Sequence, residues 1–456
     1  MDIVFDLRIK PQVYDLIFEI GVYSDSIAYP KLSILEKEIN KKMIWQKENW
    51  IPGVLSKNQL SKLVNDGFIL NASKDFKEEY DHSSMDLHIT SEAYEMKGSI
   101  KPCGEEYKMF YENSELATRL DPNSDGEFEL KSTHTYLFKI RESFSPLASK
   151  SNIYAQATAK STIGRLDVVA RLIVDGMHVY EYMEPQGISS GNMFLEISPI
   201  TFNIKVKEGI SLSQIRFFLG KPSESIIPNE SISKIVLKGD DHIDGTLSID
   251  LMPEKVGGLD VTAFSAIGVK SKNDEFIPVW EKEGVLEPER FWKCIPSTMI
   301  EGRNRFNILP DEFYILRSKE RISLPKGVAV YCQAMDETLG EMRIHYAGFA
   351  HPFFGVNRRD RREGTPLIFE VRGHNVKVNL TDGEKLAKLV FYRMSEDSIE
   401  PKVEATAAKT SSSKQVDSSV KPNLEKYNNQ ELLLSKVFKD WPDQLTCNAD
   451  FTVTKK

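Results

Sequence analysis

Nine consecutive residues, Ala159-Lys160-Ser161-Thr162-Ile163-Gly164-Arg165-Leu166-Asp167, follow a predicted strand and gather a cation, two hydroxyls, a glycine and a guanidinium. Each of these groups suits phosphate oxygens: hydroxyls and exposed backbone N–H groups donate hydrogen bonds, and a fixed guanidinium adds charge to the same cluster. The spacing is short enough to wrap a polyphosphate, and the segment reads as a phosphate clamp. Taken alone, a Ser-Thr-x-Gly-Arg string is also compatible with an ordinary polar turn.

The elements that must hold this clamp are mostly β. A predicted helix opens at Ser56 as N-cap, with Leu60, Leu63 and Val64 as its buried stripe. Alternation at Ser84–Ile89 predicts a strand, and short β segments broken by Gly, Pro and Asn continue to about residue 220. Residues 51–225 therefore read as a first barrel-like unit, 226–275 as a bridging segment rich in Ser, Lys, Asp and Gly, and 276–395 as a second β-rich unit. A 1–50 extension precedes them, with a predicted helix from Leu32 to Lys47. Residues 396–456 read as a flexible linker and a short amphipathic helix carrying Leu432, Leu433, Leu434, Val437, Phe438 and Trp441. The fold class is mainly β, two tandem distorted barrels with short helices.

The two units look like a diverged internal repeat. Laying Gln156–Val168 over Gln333–Ile344 puts Gly164 on Gly340, and Leu195-Glu196-Ile197 then falls on Phe369-Glu370-Val371. Ser161 is matched by Glu337 and Arg165 by Glu341, and a carboxylate in place of a phosphate ligand repels a triphosphate by about 4 kcal/mol at 4 Å near a protein surface. Only the first unit can clamp phosphate.

Composition sets outer limits. A chain of 456 residues, 41% hydrophobic, can fill two or three cores, and a formal net charge of −8 argues against broad binding of a nucleic-acid polymer. Cys103, Cys294, Cys332 and Cys447 are far apart and lack C-x-x-C pairing, so neither disulfides nor thiolate metal sites are expected. That fits a reducing cytoplasm. No apolar run is long enough for a membrane helix. His345, His351 and His374 lack the i, i+4 spacing of a helical zinc site, and no protein-held metal is expected from them. Arg358–Arg362 is a charge run read as a solvated loop.

With these motifs in place the chain resembles the dCTP deaminase and dUTPase superfamily, and within it the bacterial deaminases that carry two family units. In the first unit the resemblance rests on Tyr136-Leu137-Phe138, the clamp, Arg171-Leu172-Ile173, Leu195–Pro199 and Gln214-Ile215-Arg216-Phe217. In the second it rests on Phe313–Leu316, Gly340–Arg343, His345–Phe349, Gly364-Thr365-Pro366 and Phe369–Arg372. It spans about residues 52–395 and implies two dUTPase-like barrels.

The resemblance also implies a chemistry, hydrolytic deamination of dCTP to dUTP and ammonia. A carboxylate whose pKa is raised by desolvation can take a proton from water and later hand it to the leaving ammonia. The H-x-E and P-C-x-x-C motifs of zinc deaminases are absent from the sequence. By resemblance Ser161 and Arg165 hold water and phosphates, and Glu370 or Glu196 shuttles the proton, with Glu370 preferred. Nucleotide contacts are implied for Lys160, Ser161, Thr162, Gly164, Arg165, Gln186, Gln214, His351 and Arg372. Gln186 and His351 stand where relatives carry aspartate. Mg²⁺ is expected with the triphosphate, held by its oxygens and water. Because family sites form between neighbouring units, a homo-oligomer, a trimer, is expected. A dUTP or dNTP diphosphatase and a non-catalytic nucleotide sensor are the alternatives.

Overall fold

The structure, a computed structural model, describes residues 43–238, 244–268, 275–281, 284–335, 342–345, 348–356, 364–398 and 432–456. The chain divides into residues 1–50 and residues 51–456. In the first part a helical turn, Ile44–Lys47, is described, and the rest of the helix expected from Leu32 lies outside the described residues.

The larger part opens with α1 (Lys57–Asn65). Ser56 accepts a hydrogen bond from the Gln59 amide while the Gln59 side chain reaches back to the Ser56 amide, a reciprocal capping box. Leu60, Leu63 and Val64 face inward as their spacing predicts. The first barrel then uses β1 (Met85–Met96), β2 (Thr135–Ile140), β3 (Ile153–Ala159), the single helical turn α2 (Ser161–Gly164), β4 (Val168–Val174), β5 (Met193–Pro199) and β6 (Ser211–Leu219). Hydrogen-bonded neighbours run β4–β5–β2–β1–β6–β3, ending on Tyr182–Met183. Strand burial is nearly continuous rather than alternating, as in Ile153–Ala159 and Val168–Val174, because both faces of these strands are covered.

The second barrel contains α3 (Asn229–Val236), β7 (Thr246–Asp250), β8 (Ala263–Ala266), β9 (Phe313–Ile322), β10 (Val328–Ala334), β11 (Met342–His345), β12 (Thr365–Gly373) and β13 (Lys385–Arg393). Its neighbours run β11–β12–β9–β7–β13–β10, ending on Phe349–Ala350, the same order as in the first barrel. The repeat seen in sequence is thus a repeat of topology, with β5 equivalent to β12 and β4 to β11.

Two expectations are corrected. Part of the segment 226–275 expected to bridge the units belongs to the second barrel: β7 pairs with β9 and β13, and Leu247, Ile249 and Leu251 lie in that barrel's core. Its short strands, separated by polar turns, resembled a linker because few apolar residues occur in a row. The expected C-terminal helix is not formed: Leu432–Trp441 is a non-helical strap with one turn at Ser435–Phe438. Its backbone is bound by another segment, since the Val285 and Leu286 amides donate to the Val437 carbonyl and the Lys439 amide donates to Leu286. Beyond it, β14 (Leu445–Cys447) and β15 (Val453–Lys455) form a hairpin.

Between the barrels lies a small apolar cluster of Val54, Tyr154, Phe218, Ala329, Tyr392 and Met394, with the Phe218 and Tyr392 rings edge to face at 5.1 Å. Beside it Arg216 is fully buried. Its guanidinium donates to the Val330 and Ala350 carbonyls and lies 4.0 Å from the Phe349 ring centre. Burial lowers Arg216 to about 9, while carbonyls and a ring face solvate its charge.

Candidate active site

β3 delivers the chain to the clamp at the edge of this inter-barrel seam. Lys160 is extended, its carbonyl accepts from the Ile163 and Gly164 amides, and the Arg165 amide donates to Ser161. The turn closes at Asp167, whose φ of +55° is left-handed, a conformation aspartate tolerates better than most side chains. Within the turn Ser161 is exposed, whereas Ile163, Gly164 and Arg165 are buried.

Opposite the turn stands Glu370 of β12. Arg165 Nε lies 4.0 Å from Glu370 Oε1. A Cβ placed on Gly164 would sit 2.2 Å from Glu370 Oε2, so this glycine makes room for the carboxyl. Glu370 is 6% exposed, and burial pushes its carboxyl up to about 8, with Arg165 opposing the shift and Asp167 adding to it. Such a group is able both to accept and to donate a proton near neutral pH.

Glu196 occupies the equivalent place in β5 and has a different environment. It pairs in register with Arg171, where Glu370 pairs with His345. Arg171 Nη2 is 2.5 Å from Glu196 Oε1, Ser99 Oγ donates at 3.0 Å, and the Arg171 guanidinium lies 4.1 Å from the Tyr180 ring centre. Its carboxylate is therefore held by an ion pair inside its own barrel. Within one chain, the clamp turn meets Glu370.

The remaining predicted residues divide into groups. Lys160 Nζ is 2.5 Å from Asp86 Oδ2 on β1. Gln214 lies opposite Asp86 in register and accepts from Ser84 Oγ at 2.8 Å, which places Lys160 and Gln214 in one polar patch. The Thr162 carbonyl accepts from Ser435 of the strap at 3.0 Å. Gln186 is exposed on the turn Pro185–Gly187. His351 is engaged at the seam: Nδ1 is 2.9 Å from Ser83 Oγ, and Nε2 is 3.7 Å from Asp81. Burial holds this imidazole below its ordinary pKa. Arg372 Nη1 is 2.6 Å from Asp167 Oδ2. Glu337, Gly340, Glu341 and Arg358–Arg362 lie outside the described residues.

Sequence reading missed two participants. The strap crosses the clamp, and Arg165 Nη1 donates to the Leu434 carbonyl at 3.3 Å. Phe438 packs on Phe291 and Trp292, and Trp441 stacks on Phe264 at 5.0 Å, so the strap is anchored on the second barrel. No local signal links residue 434 to residue 165. Asp167, the other, was readable only as a polar residue between a turn and a strand.

Two barrels of one topology, with the Ser161–Arg165 turn of one set against the desolvated Glu370 carboxyl of the other, define a double-unit protein of the dUTPase-like fold. The N-terminal domain model of 2'-deoxycytidine 5'-triphosphate deaminase matches residues 51–221, and the C-terminal domain model matches residues 232–438. The crystal structure of 2'-deoxycytidine 5'-triphosphate deaminase from Agrobacterium tumefaciens is similar at 27% sequence identity and a TM-score of 0.66, covering 76% of this chain and 97% of that one. A sequence search among curated proteins gives no match. The chain belongs to the 2'-deoxycytidine 5'-triphosphate deaminase family, in its two-unit form.

Proposed function

We propose that the protein hydrolyses dCTP to dUTP and ammonia, with Glu370 as the proton carrier. The observation that carries this reading is the buried Glu370 carboxyl set against Gly164 and Arg165 of the clamp. In its ionised form Glu370 takes a proton from water as the water oxygen bonds to C4 of the cytosine ring, and the proton passes to the ring nitrogen N3. The carboxylate then takes the proton of the new C4 hydroxyl and delivers it to the amine, and as the C4–N bond breaks ammonia leaves and the C4 carbonyl forms. Arg165 and the exposed Ser161 hydroxyl hold the water and the phosphate chain, with Lys160, Thr162 and Gly164 completing the clamp.

Mg²⁺ would travel on the triphosphate, held by its oxygens and by water. Water activation by a carboxyl accounts for the chemistry without the zinc motifs missing from the sequence. Assembly as a homo-oligomer, a trimer, is part of the same proposal and is read by sedimentation.

Incubation with dCTP and Mg²⁺ tests the reaction. Equal amounts of dUTP and ammonia are expected. Release of pyrophosphate from dUTP without ammonia from dCTP would make the protein a diphosphatase, and turnover of neither nucleotide would make it a sensor.

A further inference from the structure

Two residues beyond each partner of the Arg165–Glu370 contact lies a second cross-seam contact with its charges reversed. Asp167 closes the clamp turn on the first barrel, and Arg372 follows Glu370 by two positions on β12, which puts both side chains on one face of that strand. Asp167 is fully buried. Its Oδ2 accepts from Arg372 Nη1 at 2.6 Å and from the Thr201 hydroxyl. Arg372 Nη1 also donates to Thr201 Oγ1 at 3.1 Å, and Nη2 to the Asp311 carbonyl at 3.0 Å.

The backbone of Asp167 is fixed as well. Its amide donates to Gly164 and its carbonyl accepts from the Ile200 amide, both within the first barrel. The ion pair therefore joins the end of the clamp turn to the strand that carries Glu370, across a covalent separation of 205 residues.

We propose that Asp167 and Arg372 form a positioning pair that sets the distance between the clamp turn and Glu370, and that Arg372 does not grip the nucleotide. The inference rests on the reaction proposed above for its kinetic readout. An error of about 1 Å between a bound substrate and its catalytic group costs on the order of 10²-fold in rate, so a pair that fixes this spacing acts on turnover rather than on affinity. Nη1 and Nη2 of Arg372 each donate to protein oxygens, so the guanidinium is tied to Asp167, Thr201 and Asp311 rather than aimed at the Ser161 end of the clamp turn.

The test uses the full chain with dCTP and Mg²⁺, in wild type and in Arg372→Lys, Arg372→Met and Asp167→Asn. Arg372→Met and Asp167→Asn should each lower kcat about 10- to 100-fold with KM within about twofold of wild type. Arg372→Lys should recover part of the loss, and the double variant should be no slower than the worse single one. A rise in KM of tenfold or more with kcat retained would overturn the proposal, because Arg372 would then be a phosphate ligand. Unchanged kinetics in the Met and Asn variants would overturn it equally.

Hydrogen exchange at the Gly164–Asp167 amides gives a readout that needs no turnover. Exchange there should quicken at least tenfold in Asp167→Asn while that of β5 holds, and unchanged exchange would overturn the proposal even if the wild type released no ammonia. That last result alone would refute the proposed reaction. Should Arg372→Met fail to fold, the isosteric Asp167→Asn and the Lys variant carry both readouts.

Discussion

Arg165 and Glu370, 205 residues apart in the chain, meet with Nε and Oε1 4.0 Å apart at the seam between two barrels of one topology. The guanidinium is close enough to favour the ionised carboxylate, yet burial dominates and the carboxyl stays protonated well above the usual range. The result is an acid that changes charge near neutral pH beside groups suited to phosphate.

Replacing Glu370 with Gln should lower ammonia release from dCTP by about 10²- to 10⁴-fold, the usual contribution of a positioned proton carrier. Glu196→Gln should behave differently. It leaves the quarter-exposed Arg171 guanidinium without its counter-charge, so the expected loss is stability, about 1–3 kcal/mol by denaturant melting, with kcat of the folded fraction preserved. Abolished turnover in folded Glu196→Gln alone would reverse the assignment.

The pH dependence follows from Glu370. If the ionised form starts the reaction, kcat/KM should rise about tenfold per pH unit up to an apparent pKa near 8 and then level. Stability should move the other way. A carboxyl with a folded-state pKa near 8 and an unfolded value near 4.5 contributes its full stabilisation below pH 4.5 and loses it as pH rises through 8. Wild type should therefore fall relative to Glu370→Gln by roughly 2–4 kcal/mol between pH 5 and 8, measured by paired chemical denaturation.

Gly164→Ala places a methyl group 2.2 Å from the present position of Glu370 Oε2. The clashing atom is the tip of a flexible side chain, so the fold should yield cheaply and the carboxyl should be displaced. A melting temperature within a few degrees of wild type, with kcat down at least about 100-fold, is the expected outcome. Retained turnover would show that Glu370 works from another position.

The strap can be loosened from its anchor. Phe438 is buried against Phe291 and Trp292, and Phe438→Ala should cost about 3 kcal/mol. Because the same strap presents the Leu434 carbonyl to Arg165, kcat/KM should fall with it, by tenfold or more. Ser435→Ala removes one hydrogen bond to the clamp and should cost about 1 kcal/mol.

What could be read in advance was local. The Ser56 cap, the Ser161–Arg165 string and the two apolar-Glu-apolar strands are carried by neighbouring residues, and the topological repeat followed from matching them. The choice between Glu196 and Glu370 was not legible in residue type, because Arg171 opposite one and the clamp opposite the other are set by strand order and by the packing of the barrels. Arg372 enters the sequence reading as a nucleotide contact implied by resemblance, and its ion-pair partner Asp167 could not be read there because it lies in the other barrel. Leu432–Trp441 has helical periodicity, but separate sites on the second barrel claim its apolar residues, and pairing with Leu286 claims its backbone. Tertiary demand overrode periodicity there.

Carrying clamp and acid on one polypeptide changes the reaction order of site formation. A site shared by separate chains is lost when the solution is diluted below their dissociation constant, whereas two covalently tethered halves see each other at an effective concentration that does not depend on how much protein is present. For the Arg165–Glu370 pair, turnover per chain should hold constant into the nanomolar range.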